Sequence, residues 1–340
     1  KFKYVFLTGH HSLFMACLMS AVLGTAGLSG IELILVGGFL MGAWSAISPA
    51  IGQSYTSKVT DGDEIALGHF GSLGYYLSAW VAKYVGKAEE STEDIEIPEK
   101  WGFLRDSTLS TALTMIVFYL IAAIAAGSEF VATLSGSMSP YLFAIMSAMN
   151  FAVGVAIVYS GVRMILGDLI PAFQGIATKI IPNAIPAVDC AVFFTYAPTA
   201  VVLGFISSFI GGIIGMLILG AVGGVLIIPG LVPHFFCGAT AGIYGNATGG
   251  RRGAAVGAFL NGLAITFLPA LALPVLGQLG FQNTTFGDAD FAVMGLVLGN
   301  AFEWIGMAGI YGIVVIAALV LIIPNFIKTK GKVINYVEED

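Results

Sequence analysis

Charge is what this sequence has least of. Asp, Glu, Lys and Arg make up 10% of its 340 residues and hydrophobic residues 57%, where soluble domains carry about 25% and about 45–50%. That scarcity excludes an ordinary soluble domain. The net charge of −6 comes from acids clustered in two loops and the tail, so no nucleic-acid partner is expected. Cysteine is also sparse. Cys17, Cys190 and Cys237 lie inside apolar runs without a C-x-x-C or metal-type spacing, which predicts buried free thiols. The four histidines lack ligand spacing such as H-x-x-x-H, so neither a metal nor another cofactor is expected. No nucleophile–base pair stands out, which leaves covalent catalysis without support. The glycine runs IGGIIG and GAVGG fall inside apolar stretches, where close helix packing explains them better than phosphate binding.

What is present is a series of long apolar runs and 45 glycines, a residue that helices in membranes tolerate. The expected fold is an all-α polytopic membrane protein. A span needs about 20 apolar residues, and Tyr4–Gly27, Ile31–Pro49, Ser107–Phe130, Tyr141–Leu166, Ala184–Phe205, Phe209–Leu231, Gly253–Gly277 and Ile305–Ile327 qualify. Three further stretches, His69–Ala82, His234–Gly250 and Phe291–Phe302, are apolar but short or glycine-broken, as in the re-entrant hairpins of a transporter. The segment Lys83–Asp106 is polar, mixing four basic residues with seven acids. With Lys328, Lys330 and Lys332 of the tail it is expected on the cytoplasmic side, and its Asp94–Trp101 part reads as a hydrated linker. The chain opens on Lys1 without Met and without a signal peptide, so it is expected to be the later portion of a longer protein. Two pseudo-symmetric halves are suggested: His10 and Gly68-His69-Phe70 in one, Asp189 and Pro233-His234-Phe235 in the other.

Ionisable groups inside apolar spans are costly and therefore informative. Asp189, in NAIPAVDCAVFF, has no basic neighbour in sequence and must find hydrogen bonds from a ligand, a histidine or a helix terminus. His10 and His11 open an apolar run. Adjacent helix positions point about 100° apart, so one of them, by preference His10, faces the interior. In TDGDEIALGHFG, His69 follows the acids Asp61, Asp63 and Glu64, which would hold the entry of a re-entrant hairpin in water with His69 at its tip. Glu129 and Glu303 read as span ends, His234 and Asn246 as weaker site candidates, and Arg251-Arg252 as a headgroup anchor.

The blocks LTGH (Leu7–His10), VTDGDEIALGH (Val59–His69), IPAVDCAVFFTYAPTAVVLGF (Ile185–Phe205) and IIPGLVPHFFCGATAGIYGNATGGRRGA (Ile227–Ala254) resemble the L-ascorbate-specific permease, the IIC component, of the bacterial phosphotransferase system. The acidic loop resembles the family's cytoplasmic loop, and the family's N-terminal spans are absent. The resemblance implies a homodimer in the cytoplasmic membrane, each subunit with a mobile, elevator-type core and a V-shaped scaffold. It places the core in residues 1–106 and 183–304, the scaffold in 107–182, and a last span with its tail in 305–340. It further implies a sugar substrate bound by His10, His69 and Asp189, beside which His11 is a further candidate, and phosphoryl transfer by separate A and B components. Family members specific for ascorbate carry glutamines where this chain has Phe14 and Phe70, so two amides give way to apolar faces at substrate-binding positions. L-ascorbate or a related sugar or polyol is the expected substrate. The residues alone also allow a proton-coupled secondary transporter using Asp189, or, more remotely, a channel.

Overall fold

In a computed structural model, the structure describes residues 2–62, 64–96, 100, 106–277 and 285–326. Lys328, Lys330 and Lys332 of the tail, Trp101 and Arg105 of the polar loop, and Asp63 lie outside the described residues. The elements run β1 (Tyr4–Phe6), α1 (Gly9–Thr25), α2 (Gly30–Val59), β2 (Ala66–Leu67), α3 (Ser72–Val85), α4 (Ser107–Ala126), α5 (Ser128–Ser135), α6 (Pro140–Lys179), β3 (Ile185–Val188), α7 (Cys190–Phe193), α8 (Pro198–Ala221), α9 (Leu231–Gly277), α10 (Ala289–Ile305) and α11 (Met307–Phe326). Among the described residues, six helices are long and apolar enough to cross a membrane.

The spans differ from the sequence expectation in physically readable ways. Tyr4–Gly27 is a strand followed by a helix of 17 residues. Ala184–Phe205 breaks after Val188, where Asp189 caps the short α7, and Pro198 starts a new helix at its first position. That helix, α8, continues through Ser207 and Ser208 into the stretch expected as a separate span. A serine hydroxyl that finds a partner does not end a helix; Ser208 pairs with Nδ1 of His234 at 2.9 Å. The long α9 is broken at Gly249 and Gly250, where φ/ψ of 60°/−156° at Gly250 suit only a residue without Cβ. The chain folds back there, since Gly238 before the break and Gly262 after it both lie against Ser208 of α8. Small residues make these contacts possible, as the glycine run requires: Gly211 approaches the Phe259 carbonyl, Gly212 the His234 ring, and Gly215 Thr266.

Three short strands were not expected. They form a parallel sheet in the order β1-β3-β2, with Phe6 and Ala66 both opposite Ala187. The ladder continues past the strands, with Leu7 N–H on Ala187 O at 2.9 Å and Gly68 N–H on Val188 O at 2.7 Å. Pairing of this kind lets extended backbone survive in an apolar interior. Gly68 is obligatory: a Cβ there would run into the Ala187 carbonyl. Periodicity gives little warning of strands so short.

Two apolar clusters flank the sheet. One gathers Tyr75, Phe193, Phe205, Phe235 and Tyr244 from α3, α7, α8 and α9, with Phe194 just after α7. The other joins Met15, Leu18, Phe70, Phe291 and Leu298 from α1, α10 and the β2–α3 link. Helices α4, α5 and α6 pack chiefly on one another.

The polar loop is more than a solvated linker. Thr92 is fully buried, its N–H donates to Asn246 Oδ1 at 2.8 Å, and the Asn246 amide donates to Ser91 Oγ at 3.1 Å. The Glu93 carboxylate accepts from the N–H groups of Thr199 and Ala200 at 3.1 Å, filling the N-terminus of α8. Arg251 N–H donates to Glu90 O at 2.8 Å. The loop is thus pinned both to α8 and to the break in α9, and Asn246 serves that seat. Arg251 and Arg252 are exposed beside it, and Glu129 and Glu303 are exposed at helix ends.

Candidate functional site

The parallel sheet explains how distant residues meet. All three strands point the same way, and their carboxyl ends lie at one edge, the position where ligands bind in parallel sheets generally. Each strand is followed at once by a candidate residue: β1 by His10 and His11, β2 by His69, β3 by Asp189. These side chains, with Phe14, line a cavity of about 960 Å³. Phe236, Phe286 and Phe291 add apolar wall, and Val158 of α6 bounds it on another side. Such a chamber, mostly apolar with a few convergent polar groups, suits a small organic ligand.

Both adjacent histidines reach the cavity, although one was expected to turn away. His11 is buried and His10 stands at the opening with its side chain 59% exposed. His10 Nε2 lies 3.6 Å from Asp189 Oδ2, while Asp189 Oδ1 accepts the Ala191 N–H at 3.2 Å. His11 Nε2 lies 3.6 Å from Oδ2 of Asp288, a lining residue the sequence reading did not select. Asp288 Oδ1 accepts from the Cys237 thiol at 2.9 Å. Cys237 and Cys190 are buried as expected, but Cys17 is exposed and lines the cavity.

The tautomers follow from the backbone. His11 Nδ1 accepts the Phe70 N–H at 3.3 Å, and His69 Nδ1 accepts the Gly71 N–H at 3.1 Å and faces the Tyr75 hydroxyl at 2.9 Å. A nitrogen that accepts an amide proton bears none, so both rings are neutral with the proton on Nε2. His11–His69–Asp288 and His69–Asp189–Cys190 have ligand atoms within 4.8 Å of one another, a proximity the histidine spacing did not suggest. Coordination through Nε2 would require that proton to leave a ring whose other nitrogen already accepts a hydrogen bond. The cluster is therefore built for hydrogen bonding rather than for metal. At 3.6 Å neither His–Asp pair saturates itself. Each leaves a donor beside an acceptor, and a hydroxyl group answers both.

Phe70 is placed differently from Phe14. Phe14 is half exposed on the cavity wall, whereas Phe70 is fully buried behind it. The Phe70 ring stacks on Phe6 at 4.6 Å between centroids and meets Phe291 edge-on at 5.6 Å. His69 sits at the junction of β2 and α3, buried, rather than at the tip of a hairpin. His234 is buried against Ser208, away from the lining. A second unselected acid, Asp290, is fully buried and accepts from Trp44 Nε1 at 3.0 Å, Ser72 Oγ at 2.7 Å and Leu73 N–H at 3.0 Å. It fastens α2, the start of α3 and α10 together behind the site. Both acids stood in the sequence as Asp288-Ala289-Asp290, at the lip of the short apolar run from Phe291, the same pattern that drew attention to His69.

Residues 1–290 match the family described as the sugar-specific permease component of the PTS system. The chain belongs to that family. The chain is also 25% identical, over 285 residues, to a protein of Mycoplasma pneumoniae named ascorbate-specific PTS system EIIC component. That alignment covers 72% of this chain and 43% of the relative, so the match spans less than half the relative's length. Membership and the apolar helices together make it a multi-pass integral membrane protein.

Proposed function

We propose that this protein binds L-ascorbate or a related sugar or polyol in the cavity at the strand ends, in the bacterial cytoplasmic membrane. It carries the substrate across for phosphorylation by a soluble B component, which is itself charged by an A component. The supporting observation is the convergence of His10, His11, His69 and Asp189 on one apolar chamber, with donors and acceptors left unsaturated. A polyhydroxy ligand answers that arrangement. The name of the Mycoplasma relative supports the sugar class. In this reading α4–α6 belong to a V-shaped scaffold that forms a homodimer, and the two pseudo-symmetric halves around the cavity move against it, elevator fashion, with short re-entrant segments closing the site.

Phosphorylation supplies the direction of transport, because the charged product no longer rebinds and leaves. Uptake into vesicles should therefore continue under an uncoupler while phosphoenolpyruvate and the A and B components are present, and stop without the B component. Uptake driven by a pH gradient with no phosphodonor would replace this reading with proton-coupled transport through Asp189, whose Oδ2 faces His10 at 3.6 Å.

A further inference from the structure

The polar inventory of the cavity is unbalanced in charge. Two carboxylates, Asp189 and Asp288, line it, and among the described residues no lysine or arginine does. Two of the three lining histidines do not restore the balance, since His11 and His69 each accept a backbone N–H at Nδ1 and are neutral. One oxygen of each acid accepts a hydrogen bond, from the Ala191 N–H for Asp189 and from the Cys237 thiol for Asp288, and the other lies 3.6 Å from a histidine Nε2, that of His10 and of His11 respectively. Asp288 is the more deeply set of the two, with its side chain 16% exposed against 30% for Asp189. Its charge therefore acts through apolar surroundings, where repulsion of a like charge is strong.

We infer that Asp288 is a specificity-determining residue, which with His11 offers a hydroxyl an acceptor and a donor and excludes anionic ligands, so that the cavity selects an uncharged alditol or aldose. L-ascorbate is a monoanion at neutral pH and falls on the disfavoured side. An uncharged hydroxyl bridges Asp288 Oδ2 and His11 Nε2, donating to one and accepting from the other. A carboxylate or enolate oxygen can only accept and has no proton for Asp288. This assignment rests on the cavity being the substrate site.

The experiment is calorimetric titration of the purified protein at neutral pH with matched ligands: six-carbon alditols and aldoses, the aldonates of the same carbon chains, and L-ascorbate. The uncharged members should bind roughly tenfold to hundredfold more tightly than aldonate or ascorbate. In Asp288→Asn that gap should close, chiefly by a gain for the anions, with the thermal midpoint recorded on the same sample. Equal or tighter binding of ascorbate or an aldonate to the unaltered protein overturns the inference and leaves the permease reading standing. An unchanged gap in a folded Asp288→Asn variant removes Asp288 from the role. If that variant does not fold, the comparison in the unaltered protein still decides the charge selection. Binding of none of these ligands overturns the cavity assignment itself, and the inference with it.

Discussion

The backbone N–H of Phe70 donates to Nδ1 of His11 at 3.3 Å. The residue that follows one cavity histidine thereby sets the tautomer of another, and both rings end with Nε2–H as their remaining donor. Phe70 contributes through its backbone, and its side chain packs behind the wall.

Phe14 and Phe70 should consequently respond differently to the same substitution. Phe14→Gln adds an amide at a half-exposed cavity position and should change ligand affinity with little loss of stability. Phe70→Gln removes a ring packed on Phe6 and Phe291 and buries an unpaired amide, costing about 3 kcal/mol or more. Thermal midpoints and ligand titrations on the two purified variants test this. A Phe70→Gln protein as stable as the original, with altered affinity, would place that side chain in the site after all.

Asp189→Asn should weaken substrate binding about ten- to hundredfold, the loss of one charge-assisted hydrogen bond of about 1.5–3 kcal/mol. The fold should survive, because an amide oxygen can still accept the Ala191 N–H that starts α7. Near-normal affinity in the purified variant would contradict a ligand role.

Asp290→Ala should act on stability instead. It strands the Trp44 indole, the Ser72 hydroxyl and the Leu73 N–H in a buried setting, at about 1–3 kcal/mol each. Asp290→Asn, which keeps an acceptor, should cost less. Detergent-stability assays order the two, and equal stability of Asp290→Ala and the parent would refute the account.

Gly250→Ala tests the seat of the acidic loop. An added Cβ meets the carbonyl oxygens of Lys87 and Glu90 at a backbone of φ 60°, ψ −156°. We expect a loss of about 1–3 kcal/mol and faster proteolysis in the segment from Lys87 to Glu93. Gly42→Ala, where the added atom meets nothing within 4 Å, serves as the control. Equal digestion of both variants would show that the loop is held by other contacts.

The sequence by itself determined the environment and most of the chemistry. Low charge and repeated apolar runs require a membrane, and an acid or histidine kept inside such runs has few reasons to be there, which singled out His10, His11, His69 and Asp189. Composition and periodicity could not reveal the short strands, because three or four extended residues leave no period to detect. Those strands alone decide that residues as far apart as His10 and Asp189 face each other at 3.6 Å. The same limit hid Asp288 and Asp290, whose meaning depends on partners from α1, α2, α3 and α9. It also left Phe14 and Phe70 equivalent, since which face of a buried ring meets a cavity is settled by neighbours far away in the chain. Local sequence fixes which groups must be sheltered or satisfied; only the packing of distant segments decides which groups satisfy them.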